Sequence, residues 1–122
     1  MKVLIIDDEP IVRRSLERAA VAHGHTVLLA ADGDEGLAIW QKENPDLVYL
    51  DVLMPKLNGP QVIQKVGPTA ATIVLMSAYT GEYNFERAKE VGANLFLAKP
   101  FENIFEVIKR GVELAEKKVR HG

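Results

Sequence analysis

The sequence has no cysteine, no strong excess of one charge and no long uninterrupted hydrophobic run. Without cysteine there is neither a disulfide framework nor a thiolate metal site, which suits the cytoplasm. A formal net charge of −2 supplies no basic field for nucleic acid or for an anionic membrane surface. The four apolar residues after Lys2 are too few for a signal-peptide core, and no later run could span a bilayer. These absences predict a soluble, cytoplasmic protein that makes no direct contact with nucleic acid or membrane.

What the chain does contain is an ordinary core composition for one domain, with 122 residues of which 48% are hydrophobic. Short apolar runs bounded by turn residues alternate with segments of helical periodicity. The runs predict strands at 3–6, 26–30, 47–50, 72–76 and 94–98. The periodic segments predict a helix from Pro10 until Gly24, with Asp8 as its cap, and further helices at 34–42, 60–66, 84–91 and 104–119.

This alternation of strand and helix is typical of an α/β protein with a parallel sheet covered by helices on both faces. Because crossover connections are right-handed, covering both faces requires the winding direction to reverse once. In the common order 2-1-3-4-5 the reversal falls between strands one and three, where such folds bind ligands. The prediction is a doubly wound, flavodoxin-like (βα)5 sandwich of three layers.

Three acidic residues follow those two strands. Asp51 ends the apolar run of LVYLDVLMPKLNG, just before the turn signals of Met54-Pro55 and Asn58-Gly59. Asp7 and Asp8 follow strand one, so three carboxylates should converge at one crevice. Carboxylates that are this close repel one another unless a cation compensates. Oxygen ligands without histidine or cysteine suit Mg²⁺, which commonly completes its coordination with phosphate oxygens.

The loops after strands four and five supply Ser77 and Lys99 at the same edge of the sheet. A hydroxyl and an ammonium beside a metal can hold a phosphoryl oxygen, and Asp51 could then act as nucleophile and phosphate acceptor. Each residue also has an ordinary structural explanation, since Asp8 could cap a helix and Ser77 or Lys99 could be plain loop residues. Their joint position at the edge where this architecture places its sites favours the functional interpretation.

Four segments stand out by their order and spacing, IIDDEP at 5–10, LDVLMPKLNG at 50–59, MSAY at 76–79 and LAKPF at 97–101. In these segments, and over residues 2–118 as a whole, the sequence resembles the receiver domains of two-component response regulators, among them the chemotaxis response regulator. It implies that a phosphohistidine on a sensor kinase or phosphotransfer protein donates a phosphoryl group to Asp51. It also implies Mg²⁺ binding by Asp8, by Asp7 directly or through water, by Asp51 and by the backbone carbonyl of Leu53.

The same resemblance implies that Ser77 and Lys99 contact the phosphoryl group, and that the peptide bond before Pro100 is cis. Phe96 matches the aromatic residue that turns inward on activation, although an ordinary core position explains it equally well. Leu53 and Tyr79 flank the path of the attacking water in the family. Their bulk predicts a long-lived phosphorylated form, with simple loop packing as the alternative.

The leading hypothesis is therefore a phosphorylation-driven switch rather than an enzyme, with residues 1–122 forming one receiver domain. The surface of helix four, strand five and helix five would bind an output domain or a target protein, or would pair two copies of the chain. The residues from Val119 onward either complete a stand-alone regulator or begin a linker within a longer one.

Three other functions compete with this hypothesis. A Mg²⁺-dependent phosphatase resembling the haloacid dehalogenase family would need a second Asp where this chain has Leu53. A flavin or nucleotide-binding domain would need a glycine-rich phosphate loop after strand one, where Asp7-Asp8-Glu9 stands instead. A docking module that is never phosphorylated is disfavoured because all five site residues are present.

Overall fold

The computed structural model describes residues 1–78 and 84–121, which form five strands and five helices in strict alternation. The strands are β1 (Lys2–Ile6), β2 (Thr26–Ala30), β3 (Leu47–Asp51), β4 (Thr72–Ser77) and β5 (Leu95–Ala98). The helices are α1 (Pro10–Ala22), α2 (Gly33–Glu43), α3 (Gly59–Val66), α4 (Phe85–Glu90) and α5 (Ile104–His121).

All neighbouring strands pair in parallel, in the order β2-β1-β3-β4-β5, so the predicted fold is confirmed. The register aligns Ile6 with Leu50, Asp51 with Met76 and Ser77 with Ala98. The carboxyl ends of β1, β3, β4 and β5 therefore meet at one edge of the sheet, and the loops that follow them are brought together.

Two hydrophobic layers cover the sheet, because successive side chains of a strand point to opposite faces. One layer joins Ile5, Tyr49 and Val74 to α1 and α5, through residues such as Leu16 and Ile108. The other joins the intervening strand residues to α2, α3 and α4, and includes Trp40 of α2. Strands buried on both faces explain why the strand segments are continuously apolar in sequence.

The ends of several elements differ from the sequence predictions, mostly by one residue. Asp8 does not cap α1, because the N-cap residue is Glu9, whose side chain makes no capping hydrogen bond. Instead, the Asp7 carboxylate accepts a hydrogen bond of 2.9 Å from the Glu9 amide, which leaves Asp8 exposed at the site. Helix α4 is shorter than predicted, and Phe85 at its start is 48% exposed.

Helices α2 and α3 each begin at a side-chain cap. Asp32 accepts a hydrogen bond from the Glu35 amide at the start of α2. Asn58 and Gln61 form a reciprocal capping box at the start of α3. Among the described residues, none of the helices has the length and apolar character that crossing a membrane requires.

Candidate functional site

The three predicted acidic residues converge at the carboxyl edge of the sheet. One carboxylate oxygen from each of Asp7, Asp8 and Asp51 lies within 4.8 Å of the others. Asp7 is fully buried and Asp51 is 5% exposed, whereas Asp8 faces solvent. The cluster exists because β1 and β3 are adjacent and end at the same level. Its donors are all hard oxygens, and this set fits Mg²⁺ better than a thiolate- or imidazole-seeking metal.

Lys99 provides the positive charge of the cluster. Its Nζ lies 2.7 Å from Asp7 Oδ2, 2.8 Å from Glu9 Oε1 and 3.5 Å from Asp51 Oδ1, and its side chain is only 6% exposed. The Lys99 backbone amide also donates to the Ser77 carbonyl, which holds the ends of β4 and β5 together. The Lys99-Pro100 peptide bond is cis, as the resemblance implied.

Burial and charge shift the acid–base properties of these groups. Burial, reinforced by the neighbouring Asp7 carboxylate, raises the pKa of Asp51 to about 7, although Lys99 acts in the opposite direction. Burial also raises the pKa of Asp7, despite its hydrogen bond from Lys99. For Lys99, burial alone would lower the pKa, but the contacts with Asp7 and Glu9 and the charge of Asp51 outweigh it and leave the pKa raised.

The β3–α3 loop packs tightly against the end of β3. The Gly59 amide donates to the Val52 carbonyl at 2.8 Å, and a Cβ on Gly59 would lie 2.6 Å from the Asp51 carbonyl oxygen. Any larger residue would therefore push the loop away from Asp51. The sequence indicated a turn at this glycine, but this close approach is visible only in the structure.

The site opens to solvent through a cleft of about 440 Å³. Its wall is formed by Asp8, Glu9, Asp51, Leu53, Ser77, Ala78 and Lys99. Ser77 is 1% exposed, and Leu53 is 58% exposed. Six predicted site residues are thus at this edge, and the cleft has room for a phosphate-sized ligand beside Asp51: Asp7, Asp8, Asp51, Leu53, Ser77 and Lys99.

Phe96, the predicted switch residue, lies in a hydrophobic layer rather than on the wall of this cleft. Phe96 is partly buried against the layer of α2, α3 and α4, and its register partner on β4 is Leu75, two residues before Ser77. Ser77 and Phe96 are therefore on neighbouring strands, as expected. Tyr79 lies outside the described residues.

Sequence reasoning missed two side chains of this site. Glu9 contacts Lys99, and the Arg13 guanidinium donates to the Asp7 carbonyl oxygen at 2.7 Å. Glu9 precedes α1 and Arg13 lies on its first turn, four residues later, a spacing that places both near the same helix end. That spacing was the available signal in the sequence.

Comparison with known proteins identifies relatives of this arrangement. Residues 3–109 match the family model described as the response regulator receiver domain. "Probable transcriptional regulator ycf27" of Porphyridium aerugineum is 40% identical over 101 residues, which are 82% of this chain and 42% of that protein. "Response regulator MprA" of Mycolicibacterium vanbaalenii is 35% identical over 103 residues, 83% of this chain and 45% of that protein. The chain thus spans less than half the length of these two relatives.

Solved structures show the same architecture. A CheY-like receiver domain protein from Methanospirillum hungatei superposes with a TM-score of 0.90 at 23% identity, covering 99% of this chain and 98% of that one, and indicates the fold alone. The CheX-CheY-BeF3-Mg²⁺ complex from Borrelia burgdorferi matches with a TM-score of 0.84 at 27% identity, covering 93% of this chain and 88% of that one.

Proposed function

Since the chain belongs to the response regulator receiver domain family, we propose that Asp51 is its phosphoacceptor and that a phosphohistidine on a sensor kinase or phosphotransfer protein is the donor. The observation that carries this proposal is the position of the Asp51 carboxylate. It lies at the end of β3 beside two further carboxylates and Lys99, on the wall of a cleft that opens to solvent. Few other arrangements offer an acceptor oxygen, a cation site and a phosphate clamp together.

In the transfer step, an Asp51 carboxylate oxygen forms a bond to phosphorus while the bond from phosphorus to the histidine nitrogen breaks. The electron pair of that bond returns to the imidazole. Asp51 must be ionised to attack, and its pKa of about 7 means that the metal-free carboxyl is partly protonated at neutral pH. When bound, Mg²⁺ would supply positive charge that favours the ionised carboxylate and offsets the charge of the phosphoryl oxygens. Asp7, Asp8, Asp51 and the Leu53 carbonyl are the groups proposed to hold it.

Lys99 and Ser77 are proposed to clamp the phosphoryl group. The Lys99 ammonium has three N–H donors, and it already lies 3.5 Å from Asp51. The Ser77 hydroxyl is on the adjacent strand and lines the same cleft. The protein would thus catalyse only its own phosphorylation and dephosphorylation, as a cytoplasmic signalling switch rather than an enzyme with a separate substrate.

Output is proposed to pass through the α4-β5-α5 surface, to an output domain, a target protein or a second copy of the chain. A transcriptional output is supported by the names of relatives such as "Transcriptional regulatory protein AfsQ1" of Streptomyces coelicolor, which is 31% identical over 116 residues. We treat residues 1–122 as one receiver domain that itself makes no direct contact with nucleic acid. That Leu53 slows hydrolysis of the phosphorylated form stays a prediction, and its exposure at the cleft is compatible with it.

The proposal is tested by incubating the protein with Mg²⁺ and phosphoramidate and measuring its intact mass. We expect one added phosphoryl group in the wild type and none in Asp51→Asn, with no labelling when the metal is chelated. Asp34→Asn is the matched control, because it makes the same substitution at an exposed position of α2. Equal labelling of Asp51→Asn and wild type would disprove the assignment of Asp51.

A further inference from the structure

Glu9 lies on the wall of the Asp51 cleft and contacts Lys99 more closely than Asp51 does. Its Oε1 is 2.8 Å from Lys99 Nζ, whereas Asp51 Oδ1 is 3.5 Å from the same nitrogen. The backbone of Glu9 is fixed at this place because its amide donates to Asp7 Oδ1. The Lys99–Glu9 contact thus belongs to the site and connects the start of α1 with the end of β5.

The hydrogen bonds of Lys99 show which of its partners can be exchanged. An ammonium has three N–H donors, and two of them are used by Asp7 at 2.7 Å and by Glu9 at 2.8 Å. At 3.5 Å the contact with Asp51 is longer than an efficient hydrogen bond. A phosphoryl group on Asp51 would attract the ammonium more strongly than the carboxylate does, and any movement of Lys99 toward it lengthens the contact with Asp7 or with Glu9.

Asp7 and Glu9 differ in what that movement would cost. The Asp7 side chain is fully buried, so water cannot take the place of the Lys99 ammonium there, and without a bound metal its charge would be left uncompensated. The Glu9 side chain is 57% exposed, so water can replace the ammonium at little cost. Glu9 is therefore the partner that Lys99 can release.

We propose that Glu9 is a positioning residue that competes with the phosphoryl group for Lys99. In the resting protein Glu9 draws the ammonium away from Asp51, and in the phosphorylated protein Glu9 is released to solvent. Glu9 also places a negative charge on the wall of the cleft that an anionic phosphoryl group must enter. The inference rests on the proposed role of Asp51, and it adds a residue that sets how readily the phosphorylated state is reached.

The test measures binding of beryllofluoride, an anion that mimics a phosphoryl group, at saturating Mg²⁺ by ¹⁹F NMR. We expect Glu9→Gln to bind it roughly two- to five-fold more tightly than wild type, the range set by the small net worth of an exposed ion pair. Glu102→Gln is the matched control. Glu102 is an exposed residue that lines the groove beside Lys99, and within the described part of the chain it forms no ion pair with that lysine.

A second measurement follows the carboxylate itself. In wild type, the side-chain ¹³C resonance of Glu9 should move toward that of an exposed glutamate when beryllofluoride binds, and the Glu102 resonance should stay in place. The proposal is overturned if Glu9→Gln binds no more tightly than Glu102→Gln, or if the Glu9 resonance does not move. If wild type itself neither binds beryllofluoride nor takes up a phosphoryl group at Asp51, the proposed function fails rather than the role of Glu9.

Discussion

At the level of single residues, the burial of Asp51 lowers the stability of the folded protein when this carboxyl is ionised. Asp51 is almost fully buried next to Asp7, and its pKa of about 7 lies well above the ordinary value of 3.8. In the unfolded chain the Asp51 carboxyl would ionise near its ordinary pKa. In the folded, metal-free protein it ionises only as the pH approaches 7. The ionised Asp51 carboxylate therefore destabilises the folded protein, and a bound cation would reduce this destabilisation.

This property gives the first prediction, which concerns pH and stability. Because the folded-state pKa of Asp51 is raised, the protonated carboxyl favours the folded state. This contribution to the free energy of unfolding is fully present below about pH 4 and is lost as the pH rises through 7. Asp51→Asn carries no charge to bury, so metal-free Asp51→Asn should be more stable than wild type at pH 8, by a few kcal/mol at about 1.4 kcal/mol per pKa unit. Urea unfolding at pH 4 and pH 8 in the presence of a chelator measures the difference.

Two further measurements make this prediction specific. Glu90→Gln removes one charge at an exposed position and should change the free energy of unfolding little at either pH. Saturating Mg²⁺ should stabilise wild type more than Asp51→Asn, and so reduce the difference between their free energies of unfolding at pH 8. A gap that is the same at both pH values, or an Asp51→Asn protein less stable than wild type at pH 8, would contradict the assignment of a buried, destabilising charge.

Among the secondary-structure elements, Tyr49 holds α5 against β3, the strand that ends at Asp51. Tyr49 is fully buried in β3, and its hydroxyl donates to the carbonyl oxygens of Val107 and Ile108, each at 2.9 Å. Gly111 lies one turn further along α5, where a Cβ would overlap the Tyr49 hydroxyl. Burial raises the pKa of Tyr49, so the hydroxyl stays a donor over the whole physiological range. The absence of a side chain at Gly111 is what lets α5 approach the sheet this closely.

The second prediction is that Tyr49 and Gly111 are energetically coupled. Glycine to alanine would normally favour a helix by about 1 kcal/mol, but here the added methyl meets a fixed hydroxyl. Gly111→Ala should therefore destabilise the protein by roughly 1–3 kcal/mol, the usual cost of overpacking a core. Denaturant unfolding of Gly111→Ala, Tyr49→Phe and the double variant measures the free energies of unfolding.

Removing the hydroxyl should also reduce the steric cost. Tyr49→Phe alone should cost about 1 kcal/mol for the lost hydrogen bonds. The double variant should be more stable than the sum of the two single changes implies, because a phenylalanine ring leaves more room for the methyl group that Gly111→Ala adds. Strict additivity of the two changes would mean that the cost at Gly111 arises from something other than this contact.

In the molecule as a whole, the site and the proposed output surface share two strands. Ser77 ends β4 opposite Ala98, and Phe96 lies two residues earlier on β5, packed toward the layer of α2, α3 and α4. A pull on the Ser77 hydroxyl by a phosphoryl group would act on the strand that pairs with β5. Because cores are densely packed, a shift there would have to be absorbed by Phe96 and by α4.

The third prediction is therefore that binding of a phosphoryl mimic beside Asp51 changes the environment of Phe96. Adding beryllofluoride and Mg²⁺ should move the NMR resonances of Phe96, β5 and α4 as well as those of the β3–α3 loop. In Ser77→Ala the loop resonances should still move, while the changes at Phe96 and α4 should be reduced, since the hydroxyl that transmits the pull is gone. Equal changes at Phe96 in both proteins would exclude Ser77 as the link.

The elements and the acceptor edge could be predicted from the amino-acid sequence alone. Apolar strands, glycine and proline breaks and helical periodicity are local signals, and they place the five site residues after four different strands. The rule that parallel strands end at one edge then brings these residues together without further information. Element ends were less predictable, because competing hydrogen bonds decide them, as when the Asp7 carboxylate rather than that of Asp8 accepts from the start of α1.

Contacts between residues that are distant in sequence became visible only in the folded chain. The Glu9–Lys99 pair spans 90 residues, and the Tyr49 hydroxyl reaches carbonyls 58 and 59 residues away. Neither has a local signature, because a glutamate beside two aspartates and a tyrosine in an apolar strand are compatible with many partners. Which partner each one meets depends on the approach of α1, β5 and α5, and that approach is set by packing, for example by the room that Gly111 leaves for Tyr49.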